Sequence, residues 1–119
     1  MFSQENESEE KFISRSLSNL IVAAEQNNSI AQYAVGVYLD KGENLEQNKE
    51  SAYLLFKSAA ENGMPQAMYI YGVMLFYGTG GAELNKSKGV ELINRAALGA
   101  SNEAREFLEF VKKNESDWV

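Results

Sequence analysis

The chain repeats itself. Shifted by 36 residues, segment 31–42 (AQYAVGVYLDKG) lies over segment 67–78 (AMYIYGVMLFYG), with identity at Ala31/Ala67, Tyr33/Tyr69, Gly36/Gly72, Val37/Val73, Leu39/Leu75 and Gly42/Gly78. Downstream the shift becomes 37: NKESAYLLFKSAA (48–60) lies over NKSKGVELINRAA (85–97). The dipeptide Ala-Ala recurs at 23–24, 59–60 and 96–97. A period of this length is that of one supersecondary unit that cannot bury its apolar face alone and must stack on copies of itself.

The units are helical. Apolar residues recur at i, i+4, i+7 and i+8 in Ala31, Val35, Tyr38 and Leu39, and again in Ala52, Leu55, Phe56, Ala59 and Ala60. No alternating segment is bounded by hairpin turns. The pattern predicts six helices, at about 8–26, 29–41, 48–62, 66–77, 85–98 and 102–113. Gly42, Gly63, Gly78 and Gly99 each follow a periodic run, where a left-handed residue closes a helix. Asn48 and Asn85 precede runs and read as N-caps, and Pro65 suits the first turn of the fourth helix. The expected organisation is a flexible acidic N-terminus over 1–8, a repeat domain over 9–113 and a C-terminal tail over 114–119.

Small residues mark where helices cross. Gly36 and Gly72 fall mid-helix, where Gly costs about 1 kcal/mol against Ala. Their equivalent positions imply close approach of a neighbour. Ala59, Ala60, Ala96 and Ala97 are expected to do the same on the second helix of each unit. With these residues the chain resembles the Sel-1-like repeat family, relatives of the tetratricopeptide repeat. The matching positions are Ala31, Gln32, Gly36, Gly42, Ala52, Ala59, Ala60, Glu61 and Gly63 in one unit. In the next they are Ala67, Gly72, Gly78, Gly80, Lys88, Ala96 and Ala97. The likeness spans about residues 16–111. Gly89 departs from the family's helix Ala, and Glu109 stands at the Gly position of the last unit, giving that helix the polar outer side a capping half-repeat needs. The resemblance implies an all-α solenoid of about three stacked antiparallel helix pairs.

Composition narrows the function. The chain has no Cys and no His, which removes Ser-His and Cys-His catalysis and the commonest metal ligand. Eleven Lys and Arg against seventeen Asp and Glu give a net charge of −6, which disfavours nucleic-acid binding. No basic-then-apolar leader opens the chain and no long apolar stretch spans a membrane, so the expected location is cytoplasmic. Gly78-Thr79-Gly80-Gly81 lacks the strand and Gly-Lys-Ser/Thr of a phosphate loop and reads as an inter-helix turn. The acidic loop lacks EF-hand spacing, and Glu103, Glu106 and Glu109 read as a solvated face. No metal, cofactor or enzymatic activity is expected.

The more informative feature is an apolar surplus. Beyond the core stripe of Ala67, Ile70, Tyr71, Met74 and Leu75, a second stripe remains: Tyr69, Val73, Phe76 and Tyr77. A surface helix needs only one. The first unit repeats it as Tyr33, Val37, Asp40 and Lys41, half of it polar. In tetratricopeptide-like folds such a stripe lines the concave groove, and the resemblance implies the same here, extended by Glu106 and Phe110. Glu43, Glu46 and Glu50 are expected as an acidic rim. The function expected is a non-catalytic scaffold binding another protein in this groove. The narrower expectation is an acidic immunity or inhibitor protein that neutralises a basic toxin. The alternatives are an adaptor in signalling or envelope assembly, and a self-associating structural solenoid. The oligomeric state is open at this point.

Overall fold

The computed structural model describes residues 2–114 and, among them, six helices and no strand: α1 Phe2–Glu25, α2 Ser29–Lys41, α3 Lys49–Glu61, α4 Pro65–Tyr77, α5 Lys86–Leu98 and α6 Asn102–Asn114. Each packs mainly on its neighbours in sequence, giving an all-α solenoid. Connections alternate between short turns (26–28, 62–64, 99–101) and longer loops (42–48, 78–85). The residue that changes the shift from 36 to 37 lies in the second long loop. Helix α1 begins at Phe2, not near residue 8 as expected. Its first turns are rich in Glu, Gln and Lys, with no Gly or Pro to stop a helix. Residues 115–119, with Trp118, lie outside the described residues.

The helix ends repeat as closely as the helices. The side-chain oxygens of Asn28, Asn48 and Asn85 accept the backbone N–H of Ala31, Ser51 and Lys88 at 3.0, 3.0 and 3.1 Å. Ser101 caps α6 through its Oγ, which accepts from Ala104 at 3.2 Å. Pro65 occupies the first turn of α4, where its missing N–H costs nothing. Gly42 and Gly78 close α2 and α4 in the left-handed region, at φ +75° and +65°. Of the shorter turns, that of Gly63 closes as the sequence predicts and that of Gly99 does not. Their left-handed residues are Asn27, Gly63 and Ala100, at φ +68°, +89° and +82°. Gly99 has φ −91° and is not left-handed. Its missing side chain serves a different purpose: a Cβ there would lie 2.9 Å from Pro65 Cγ. In each of these turns a backbone N–H reaches back five residues, Asn28 to Ala23, Met64 to Ala59 and Ser101 to Ala96, at 3.0–3.2 Å. This is the six-to-one bond of a Schellman turn.

Ala100 therefore holds a conformation that Gly adopts without strain. Ala100→Gly is expected to raise folding stability by about 0.5–1 kcal/mol, against the usual direction for a Gly substitution. A thermal melt checks it; a lowered midpoint contradicts the turn geometry.

The core follows the repeat. Ala52, Ala59, Ala67, Phe76, Ile93, Ala96, Ala104 and Val111 have no exposed surface. At Gly36 a Cβ would meet the Phe56 ring at 2.8 Å. At Gly72 it would meet Ile93 Cγ1 at 2.7 Å and the Gly89 carbonyl at 2.9 Å. A Cβ on Gly89 would in turn meet the Gly72 carbonyl at 2.6 Å. The departure at Gly89 thus allows the backbones of α4 and α5 to touch. One buried polar group is shared between turns. The Gln32 amide donates to the Ala24 carbonyl and to Asn27 Oδ1, while Asn62 Nδ2 donates to Asn27 Oδ1 and Gln32 Oε1. The α1–α2 turn is so tied to the end of α3.

Candidate functional site

Between α2 and α4 the solenoid leaves an open groove of about 620 Å³. Tyr33, Val37 and Asp40 line one wall and Tyr69 and Val73 the other. Four of these five are repeat-equivalent pairs, so two successive first helices present the same side chains to one space. Phe56, Ile70 and Met74 form an apolar floor, and Lys41, Lys49, Thr79 and Gly80 complete the lining. The missing side chain of Gly36 lets the buried Phe56 ring reach this floor from α3, where it meets Tyr33 at 5.9 Å between centroids.

The next interval of the solenoid is closed. Phe107 of α6 holds the register position that Ile70 holds in α4. Its larger ring fills the space between α4 and α6, with centroids 6.2 Å from Tyr69, 5.4 Å from Phe76 and 6.1 Å from Tyr77. Several expected groove residues consequently stand elsewhere. Phe76 is not a surface residue: it is fully buried against Val90, Val111 and Phe107. Tyr77 and Phe110 are exposed, at 49% and 51%, but lie in a patch around Phe107 outside the groove. Glu106 is exposed on α6 beside that patch.

Glu43, Glu46 and Glu50 are exposed, but none lines the groove. Glu50 follows Lys49 on α3 and is turned about 100° from it. The charged residues of the lining are Asp40, Lys41 and Lys49, with Lys49 Nζ 3.0 Å from Asp40 Oδ1. Lys41 has no ion-pair partner among the described residues. Sequence reasoning placed Lys41 on the stripe beside Asp40 but missed Lys49, which lies beyond a loop whose fold brings the two to one place. It missed Phe56, Ile70 and Met74 as floor because their spacing marks them as core.

At the α6 side of Tyr69 the field is negative. Burial raises the Tyr69 hydroxyl pKa above the ordinary tyrosine value, and Glu103, Glu106 and then Tyr77 raise it further. Neutral Tyr69 is thus the form the fold favours. Its contribution to stability is complete below the free tyrosine pKa of about 10 and is lost as pH rises through the folded value. Replacing Glu103 and Glu106 by Gln is expected to move the Tyr69 titration, followed by tyrosinate absorbance, to lower pH while leaving it above the free value. No movement would contradict the proximity.

Among the described residues no three carboxylates gather as a metal site, and no helix is long and apolar enough to cross a membrane. The Sel1 repeat model matches residues 29–64 and 65–101, which are α2 with α3 and α4 with α5. The chain belongs to the Sel1 repeat family. Proteins of this family generally mediate protein–protein interaction as non-catalytic scaffolds. A Sel1 repeat protein from Oxalobacter formigenes is similar in structure, with TM-score 0.73 and 28% identity over 83% of this chain and 74% of that one. So is c5321, a protective antigen of uropathogenic Escherichia coli with an SLR fold, at TM-score 0.74 and 27% identity over 83% of this chain and 21% of that one. This chain thus spans about a fifth of the antigen's length. Among curated protein sequences none matches significantly. Within this Sel1 repeat domain α6 differs from α2 and α4. It presents exposed Glu109 where they present glycine.

Proposed function

We propose that this Sel1 repeat domain is a protein-binding scaffold that receives a segment of its partner in the groove between α2 and α4. The observation that carries this is the pairing of Tyr33 and Val37 with Tyr69 and Val73 across an unfilled apolar space. Tyrosine suits such a wall because it offers a large contact area with few rotors to freeze. The two walls belong to rigid helices packed on a common core, so the site is held in shape before binding.

More narrowly, the partner is a basic protein, and the role is that of an inhibitor or immunity protein acting in the cytoplasm. Supporting this are the net charge of −6 and the exposed Glu43, Glu46 and Glu50 beside the groove's loop. Long-range attraction of opposite charge raises the association rate and is screened by salt. The adaptor role lacks a feature of its own in the molecule. Self-association has one, the exposed Tyr77 and Phe110.

The test is affinity capture from native lysate, comparing the wild type with Val73→Glu. Placing a charge in the apolar wall is expected to weaken capture by about a hundredfold with the helical spectrum unchanged. A captured partner that is basic and released by salt supports the inhibitor reading, and an acidic or salt-insensitive one overturns it. Equal capture by Val73→Glu overturns the groove. Light scattering of Tyr77→Glu against the wild type tests self-association. Phe76→Glu is unsuitable for that purpose, since the side chain is buried.

A further inference from the structure

The groove carries its charged residues at one end, and this decides what it can hold. At the loop end stand Lys41 and Lys49, from the last turn of α2 and the first of α3, together with Asp40. Asp40 engages Lys49 at 3.0 Å and leaves Lys41 without an opposite charge. The lining therefore carries one net positive charge in a chain whose total is −6. The remaining lining is chiefly aromatic and apolar, with Phe56, Ile70 and Met74 as its floor.

We propose that the groove selects an extended partner segment with a large apolar side chain, flanked on one fixed side by a carboxylate that meets Lys41 and Lys49. The proposal rests on the groove being the binding site. The apolar side chain supplies the affinity by leaving water between the two Tyr-Val walls. The lysines fix the direction in which the segment lies, since the reversed segment carries its carboxylate away from them. The overall negative charge of the molecule and the positive loop end are then compatible. The former attracts a basic protein at a distance, and the latter chooses which of its segments docks.

The experiment is selection from a random peptide-display library on the wild-type protein, with subtraction on Val73→Glu. Enriched sequences are expected to place an acidic residue on one fixed side of a large apolar residue. The Lys41→Glu, Lys49→Glu double variant is expected to bind the enriched peptide about tenfold more weakly and to select a basic residue in place of the acidic one. Asp40→Asn, which releases Lys49, is expected to tighten binding of the same peptide by a few-fold. All these side chains are at least partly exposed, and a preserved helical spectrum excludes misfolding as the cause. Enriched peptides that depend on Val73 but show no acidic preference, or one that survives the double reversal, overturn the proposal and leave the groove standing. Failure to enrich any sequence over the Val73→Glu background overturns the groove itself.

Discussion

Phe76→Ala is expected to remove about 3–5 kcal/mol of folding stability, the cost of deleting a fully buried aromatic ring. The ring has no exposed surface. It sits edge-on to Phe107 at 5.4 Å and to Tyr77 at 5.0 Å, and Lys86 Nζ lies 5.0 Å from its centroid. Truncation leaves a cavity among Val90, Val111 and Phe107, all held in place by α5 and α6. A domain of this size is stable by roughly 5–15 kcal/mol, so the variant approaches the unfolding threshold. Urea denaturation measures the loss. Tyr77→Ala, next in sequence but half exposed, is expected to cost under about 1 kcal/mol. Similar midpoints for the two variants would contradict the packing of α6 over Phe76. The pair also separates folding from binding, because neither residue lines the groove.

Gly89→Ala is the second large effect, expected to cost about 2–3 kcal/mol although it places a better helix former in a helix. The added methyl would stand 2.6 Å from the Gly72 carbonyl and 2.9 Å from the Phe76 amide nitrogen. Both are backbone atoms, so relief requires α4 and α5 to separate and their whole interface to loosen. Gly36→Ala serves as the comparison. Its methyl meets only the Phe56 ring, at 2.8–3.2 Å, and a side chain can shift more readily than a helix. Thermal denaturation is expected to rank Gly89→Ala as the more damaging. The reverse order would mean that the α4–α5 contact is looser than described.

These two residues show where sequence reasoning succeeded and where it stopped. Gly36 and Gly72 were legible because a mid-helix glycine at a repeated position has few causes besides close approach. Gly89 had no glycine partner in the first unit, where Ala52 holds the same register, and so it read as a departure. Phe76 was misassigned for a related reason. Its periodicity put it on a second apolar stripe with Tyr69 and Val73, and periodicity cannot say whether another helix lies on that stripe. The equivalent residue Asp40 does line the groove. One register position is therefore buried in one unit and exposed to a groove in the other. The difference lies in α6, whose Phe107 and Val111 cover Phe76. Lys41 was legible on the stripe with Asp40, but Lys49 was not. Residues 41 and 49 are separated by a loop, and only its closure, with the Asn48 backbone N–H donating to the Leu39 carbonyl at 2.9 Å, brings them together.

By itself the amino-acid sequence determined that the chain is helical, that its units repeat every 36 or 37 residues, and where most helices begin and end. These are properties of spacing, capping residues and small side chains, all local along the chain. The tertiary structure alone decided which interval between first helices stays open, which charges face it and which aromatic residue is core. Those outcomes depend on the volume of a side chain brought in by a distant helix: an isoleucine leaves a groove between α2 and α4, and a phenylalanine in the same register closes the next one.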